Sequence, residues 1–319
     1  ICVKINKKCF HYFFILVVSA FVPTKPRIAK FVYFMTYQAL GINRYSGTEI
    51  KRLVTLSFCI VVSSVCSVLA QNGAVITPES TELYVDLAKI SPGLTSQMPP
   101  SDATVLFDGT DLLKWQAMQL RIAGDMQGIA QSIADYELGK VTQPAQWEVA
   151  DEIMTVEPGT GAIETKRLFG DMQLHLEWNA PVAEEKSGQG YSNSGVFFMG
   201  LYEVQILNSY ENVTYNNGQA SSVYKQHIPL VNASRAPGQW QSYDIIFMAP
   251  RFSEKGSLIS PARITIFYNG VLVQNNVELL GPTTYIGASH YIPHPEKMPL
   301  ALQDHGDPVQ FRNIWIREL

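Results

Sequence analysis

From Gln71 to the C-terminus, 249 residues, the chain has no cysteine. That stretch holds no disulfide, no thiolate nucleophile and no cysteine-ligated metal, and it must stand on its hydrophobic core. It is also poor in positive charge. Fifteen Lys and Arg face twenty-seven Asp and Glu, a net of −12. A phosphate-binding surface needs the opposite sign, so nucleic acid is not expected as a partner. Several signature loops are missing: no G-x-S-x-G elbow, no Walker loop, no G-x-G-x-x-G after a strand and no H-E-x-x-H. Phosphoryl transfer, nucleotide-dependent hydride transfer and zincin chemistry are left without a motif, and no nucleotide cofactor is expected.

The first 70 residues are of another kind. They hold all four cysteines (Cys2, Cys9, Cys59, Cys66) and nine Lys and Arg against one acid, Glu49. Lys51 and Arg52 precede an apolar run from Leu53 to Leu69, closed by Ala70 before Gln71. A basic start, a short apolar run and small residues at its end spell a signal peptide cleaved before Gln71. The expectation is an exported protein, periplasmic or extracellular, with no stable membrane span in the mature form. A retained signal anchor is the alternative, although the run is short for a span. A second apolar run, Tyr12 to Val22, is shorter still. The chain begins with Ile1, and Met35 offers a translation start that would leave 1–34 untranslated. Residues 71–100 carry Pro78, Pro92, Pro99 and Pro100 and read as a linker, which leaves 101–319 as the folded domain.

Helical spacing occurs once there. Ile122, Met126, Ile129, Ile133 and Tyr136 recur every three to four residues, so one amphipathic helix is expected as an insertion between Trp115 and Trp147. The rest alternates with period two. In Asp171 to Trp178, Met172, Leu174, Leu176 and Trp178 oppose Asp171, Gln173, His175 and Glu177. In Tyr202 to Ile206, Tyr202, Val204 and Ile206 oppose Glu203 and Gln205. Ala262 to Tyr268 runs into Asn269-Gly270 and then Val271 to Val273, a strong hairpin signal because both turn residues need positive φ. Trp240 to Met248, Pro299 to Gln303 and Val309 to Ile316 add strands. The pattern implies an all-β fold, an antiparallel sandwich or jelly roll. Trp178, Tyr202, Val204, Ile206 and Trp315 are expected to face its core.

Carboxylates, histidines, amides and aromatics on strand faces remain to carry chemistry. That inventory suits a carbohydrate, which offers hydroxyls to amides and carboxylates and C–H faces to rings. Glu177 and Glu203 each lie on a polar strand face. Gln205 shares the face of Glu203, with Asn208 and Tyr210 just beyond. Charged residues on such faces are commonly only solvated. Gln303-Asp304-His305-Gly306 ends a strand at a loop, and His305 can serve as base, acid or ligand, or simply bond Asp304. Ser192-Asn193-Ser194-Gly195 reads first as a turn, with Asn193 as a ligand-binding amide second. Arg312, in an apolar strand, is a structural clamp or an oxyanion stabiliser.

Taken together, several strings resemble a known family. They are Leu106-Phe107-Asp108-Gly109-Thr110 with Trp115, Gly161-Ala162-Ile163-Glu164-Thr165, Phe169-Gly170-Asp171 with Glu177-Trp178, and Asn193-Ser194-Gly195-Val196-Phe197-Phe198. After them come Tyr202 to Leu207, Asn269-Gly270-Val271, Leu302 to Gly306 and Phe311 to Trp315. In this order, over about 103–319, they are similar to the 3-keto-disaccharide hydrolases. Asn208, where Asp is expected, and the long stretch between Trp115 and Trp147 depart from the pattern. The resemblance implies a concanavalin A-like jelly roll, export, and action on 3-keto-glycosides. A 3-keto group acidifies the C2 proton, so a base, an enolate stabiliser and an acid could eliminate the C1 substituent before water adds back. On this reading Glu203 or His305 is the base, Arg312 or a bound divalent metal the stabiliser, and Glu177 the acid. Gln205, Asn193, Asn208, Tyr210, Gln303 and Asp304 bind substrate. Glu203, Gln205, His305 and Arg312 are expected in one cleft with Glu177 on its wall. An ordinary two-carboxylate glycosidase using Glu177 and Glu203, or a non-catalytic carbohydrate-binding module, are the alternatives.

Overall fold

A computed structural model of the chain describes residues 77–95, 97–122 and 124–319. Two compact units are distinguished, Ile1–Asp86 and Leu87–Leu319. In the first, a single helical turn, Pro78–Thr81, is described. The signal peptide, its cleavage point and the Tyr12 to Val22 run lie outside the described residues. Among those residues, no helix is long and apolar enough to cross a membrane.

The second unit is an antiparallel β-sandwich of jelly-roll type. Its fifteen strands are β1 (Thr104–Phe107), β2 (Trp115–Ala117), β3 (Glu148–Ala150), β4 (Ile153–Thr155), β5 (Ile163–Phe169), β6 (Met172–Asn179), β7 (Ser194–Phe198), β8 (Tyr202–Ile206), β9 (Trp240–Met248), β10 (Arg251–Phe252), β11 (Leu258–Ser260), β12 (Arg263–Tyr268), β13 (Val271–Glu278), β14 (Met298–Leu302) and β15 (Gln310–Glu318). One sheet runs β13-β12-β9-β6-β15-β4-β3, with β1 also paired to β15; the other runs β2-β5-β14-β7-β8; β10 and β11 form a ribbon. The hairpin at Asn269-Gly270 forms as the sequence implies, with φ of 53° and 79° at the two turn residues.

The core fills the space between the sheets, where alternate side chains of each strand meet. Leu174, Leu176 and Trp178 of β6 and Tyr202, Val204 and Ile206 of β8 all belong to it. Phe198 of β7 stacks on Phe247 of β9 at 4.7 Å between centroids, one ring from each sheet. Trp315 departs from the expectation. Between Arg312 and Trp315, β15 carries one residue more than its partner β6, and Asn313 adopts φ 48°. The bulge reverses the alternation, so Ile314 and Ile316 take the core positions. Trp315 stacks instead on His175 at 5.4 Å, on the outward face of the larger sheet.

The insertion forms α1 (Met126–Ala134), whose N-cap Asp125 accepts a hydrogen bond from Gly128 N at 2.8 Å. It buries Ile129. Of the segment expected as a linker, the described residues 82–95 and 97–100 form neither helix nor strand but are in part held down. Ser91 and Ser101 bond each other, and the carbonyl of Gln97 accepts from Asn313 Nδ2 and Trp315 Nε1, both at 3.0 Å.

Candidate active site on the smaller sheet

On the five-stranded sheet the odd residues of β7 and β8 turn away from the core, as does every second residue of β14. The registers line them up. Glu203 pairs with Phe197, and Phe197 with Ala301, which pairs with Glu164. One step along, Gln205 pairs with Gly195, and Gln303 N donates to Gly195 O at 3.0 Å. One outward surface therefore carries Glu203, Gln205, Gln303 and Glu164 around a low floor of Gly195 and Ala301. Asn193 enters it from the start of β7. The stretch Ser192 to Gly195 is half turn and half strand, since Ser192 has φ 54° and β7 begins at Ser194.

Glu203 is the unusual group. It is 5% exposed, and burial pushes its carboxyl up to about 8. Its room is provided by Gly195. A Cβ at 195 would lie 2.7 Å from Glu203 Oε1 and 2.9 Å from Phe197 Cε2. Thr283 Oγ1 fixes the backbone at this point by accepting from Glu203 N at 2.9 Å.

Gln205 lies beside it within a set of amides. Gln205 Nε2 donates toward Gln189 Oε1 at 3.3 Å and Asn193 Oδ1 at 3.4 Å. The other end of the Gln205 amide lies 3.0 Å from Glu203 Oε1 and 3.2 Å from Ser194 O. Gln189 Nε2 donates to Gly218 O at 2.9 Å and Thr214 Oγ1 at 3.1 Å. Asn193 Nδ2 donates to Gln189 O at 2.8 Å.

The chain around this surface closes it on several sides. Tyr215 and Tyr224 bond through their hydroxyls at 2.6 Å, and Tyr224 N donates to Glu203 O. Lys225 Nζ rests 4.3 Å from the Tyr215 ring centroid and 5.1 Å from that of Tyr285. The insertion crosses toward the same side, for Tyr285 N and Ile286 N both donate to Gly124 O. It is tied back to the sheet through Gln116 Nε2, which donates to Lys140 O at 3.1 Å and to Glu164 Oε1 at 3.0 Å, while burial raises the Glu164 carboxyl.

The loop after β14 closes the opposite end. Asp307 Oδ2 accepts from Asn193 N at 2.8 Å, and its other oxygen pairs with Lys186. Asp304 is occupied structurally, accepting from Gly159 N and Gly161 N at 2.8 and 2.9 Å and from Gly306 N. His305, between these anchors, is exposed. Gln303 is buried, and its Oε1 has no hydrogen-bond partner. Asn208 Oδ1 caps its own turn by accepting from Tyr210 N, and Tyr210 is exposed beyond it.

Glu177 and Arg312 do not join this surface, contrary to the expected convergence. They project from the far face of the larger sheet, with the core between them and Glu203. Arg312 Nε donates to Glu177 Oε2 at 2.7 Å, Asn313 Nδ2 donates to Glu177 Oε1 at 3.0 Å, and the guanidinium lies 4.0 Å over Trp240. His175 Nδ1 lies 2.7 Å from Asp244 Oδ1 in the same cluster. Burial would raise the Glu177 carboxyl, but hydrogen bonds from His175, Asn313 and Arg312 outweigh it and hold the group at about 2. A carboxyl held there carries no proton to donate near neutral pH. The contacts of Arg312 here are those of a structural clamp, on Glu177 and over Trp240.

Sequence reasoning overlooked Gly195 as a spacer, Gln189 as the amide behind Gln205, and the Tyr215, Tyr224, Lys225 group. Only the first left a trace, a glycine two residues from a strand phenylalanine on the same face. Among the described residues no group of three or more His, Cys, Asp and Glu is placed to hold a metal ion.

Comparison with known proteins places this geometry in context. Residues 102–317 match the family described as 3-keto-alpha-glucoside-1,2-lyase-like domains. The crystal structure of a provisionally designated glycosyl hydrolase from Parabacteroides distasonis ATCC 8503 is similar, with a TM-score of 0.67 and 41% identity over 77% of this chain and 98% of that one. A second structure so designated, from the same organism, has a TM-score of 0.46 and 16% identity over 68% and 94% of the two chains. No curated protein matches the chain.

Proposed function

Since the chain belongs to the family of 3-keto-alpha-glucoside-1,2-lyase-like domains, we propose that it cleaves 3-keto-glycosides by eliminating the C1 substituent across C1 and C2, with Glu203 as the acid. The family and the 41%-identical relative designated a glycosyl hydrolase support a carbohydrate-active enzyme that cleaves glycosides. The observation that carries the elimination proposal is Glu203 itself: a buried carboxyl raised to about 8, seated over Gly195 on the amide-rich surface. A carboxyl that keeps its proton at neutral pH can deliver it to a departing oxygen.

A C3 carbonyl makes the C2 proton acidic. A base takes that proton, the electrons move through the enolate, and the C1–O bond breaks as the leaving oxygen takes the proton of Glu203. The products are an enone sugar and the free alcohol. Glu203, now ionised, can accept a proton from water as the hydroxyl adds at C1, and the protonated base returns its proton to C2, which restores both groups and completes a net hydrolysis. His305, on the exposed loop anchored at Gln303 and Asp307, is our choice of base. The unpartnered Gln303 Oε1 suits a sugar hydroxyl, and the Nε2 of the same amide is a donor for the enolate oxygen. The two-carboxylate alternative needs Glu177 near Glu203, and Glu177 lies across the core. We also propose export, on the strength of the Lys51 to Gln71 pattern.

The test is a substrate panel of 3-keto-trehalose and 3-keto-glucosides beside the unoxidised sugars, run with and without chelator. Turnover of the keto sugars alone is expected. Turnover of plain disaccharides, or binding of keto sugars without turnover, would overturn the reading.

A further inference from the structure

The amides behind Glu203 carry an argument about its proton that is independent of burial. Gln189 cannot turn its amide, because its Nε2 faces two acceptors, Gly218 O and Thr214 Oγ1, and an oxygen in that place would face the Gly218 carbonyl at 2.9 Å. Asn193 is fixed likewise, since its Nδ2 meets Gln189 O at 2.8 Å. Gln189 Oε1 and Asn193 Oδ1 are therefore two fixed acceptors aimed at Gln205. Gln205 must offer them its Nε2, and its own Oε1 is then held 3.0 Å from Glu203 Oε1. Two oxygens at that distance need a proton between them.

We propose that Gln205 is a proton-coupled positioning residue for Glu203. While Glu203 is neutral, its O–H donates to Gln205 Oε1 and the amide chain Gly218–Gln189–Gln205–Glu203 is satisfied, at the cost of one contact between Gln205 Oε1 and Ser194 O at 3.2 Å. When Glu203 gives up its proton, the Gln205 amide turns, so that Nε2 donates to the new carboxylate at 3.0 Å and to Ser194 O at 3.2 Å. The turned amide leaves its oxygen against Gln189 Oε1 and Asn193 Oδ1, an unfavourable contact that returns once the proton is regained. The chain thus holds Glu203 in its acid form at rest and gives the carboxylate a donor only after transfer. The groups facing Glu203 agree with this. On β7 they are Gly195 and Phe197, on its own strand Gln205, and on the following segment the phenols of Tyr215 and Tyr224. Among the described residues no cation pairs with it.

The inference rests on the acid role proposed for Glu203, but it can be read without substrate. Isotope-edited infrared spectroscopy with labelled glutamate resolves a protonated carboxyl, identified as Glu203 by its loss in Glu203→Gln. In the wild-type protein the band should persist at pH 7. In a Gln189→Met/Asn193→Ala variant the Gln205 amide is free to turn, and the Glu203 midpoint should fall by about one pH unit or more, as for a carboxylate gaining a donor. Should the double variant fail to fold, Gln189→Met alone removes the nearer acceptor and should lower the midpoint less. A Glu203 already ionised at pH 7, or a midpoint unmoved by releasing the amide, would overturn the coupling. Shifted midpoints in a protein that turns over no 3-keto-glycoside would support the coupling and remove only the reaction.

Discussion

Gly195 and Glu203 are diagonal neighbours across the β7–β8 pair, and the missing side chain of one makes the place of the other. The Cβ of any other residue at 195 would lie 2.7 Å from Glu203 Oε1, closer than real contacts come. A carboxyl that is buried, uncompensated by a cation and given its own space by a glycine is costly to the fold. Such an arrangement is typical of a working group rather than of a stabilising one.

Gly195→Ala should therefore act through the carboxyl. Its backbone needs no special conformation, so the variant should fold. The methyl group must push Glu203 aside by some tenths of an ångström or more. A misplacement of about 1 Å can cost on the order of 10²-fold in rate. We expect kcat on 3-keto-glycosides to fall by 10–100-fold or so with the melting temperature within a few degrees of wild type. Wild-type kcat in Gly195→Ala would show that the position of Glu203 does not matter.

Stability should depend on pH in a direction set by Glu203. The unfolded carboxyl ionises near its ordinary 4.5 and the folded one near 8, so the folded state holds the extra proton in between. Stability from this group is full below 4.5 and falls as pH rises toward 8, each pH unit of displacement being worth about 1.4 kcal/mol. Glu203→Gln removes the effect. Its melting temperature should exceed that of wild type at pH 8, and the gap should close toward pH 4.5. Parallel melting curves across that range would contradict the burial of an uncompensated carboxyl.

Glu177 should show the opposite sign. Its folded value of about 2 lies below the ordinary 4.5, so its contribution is present above 4.5 and is lost as pH falls toward 2. Glu177→Gln strips Arg312 and the neighbouring His175 of a charged acceptor. A loss of about 1–3 kcal/mol is expected from urea unfolding at pH 7, and the difference from wild type should vanish near pH 2. Turnover per folded molecule should stay close to wild type, since Glu177 lies across the core from Glu203. A folded Glu177→Gln protein without activity would return this residue to the catalytic group.

Much of the fold was legible because period-two alternation is a strong signal where one face of a strand is buried. It located β6, β8 and the Asn269-Gly270 hairpin, and it placed Glu203 and Gln205 on one surface. It failed at Trp315 for a definite reason: the bulge beginning at Arg312 shifts the alternation by one residue, and nothing in Phe311-Arg312-Asn313-Ile314-Trp315 announces it. It could not separate Glu177 from Glu203 either. Alternation says that a side chain points away from the core, not from which sheet. Both glutamates read alike, and only the pairing order β6-β15 against β7-β8 sets them on opposite faces. The amides of Gln189 and Asn193 come from an irregular segment, where no periodicity operates.

The central claim, that Glu203 supplies the proton to the leaving oxygen, is tested most directly by one comparison. Turnover by wild type and Glu203→Gln is measured on a 3-keto-disaccharide and on a nitrophenyl 3-keto-glucoside, whose leaving group needs little protonation. The account predicts a loss of about 10²–10⁴ on the disaccharide and a far smaller one on the nitrophenyl substrate. Wild-type turnover of the disaccharide by well-folded Glu203→Gln, or equal losses on both substrates, would contradict it.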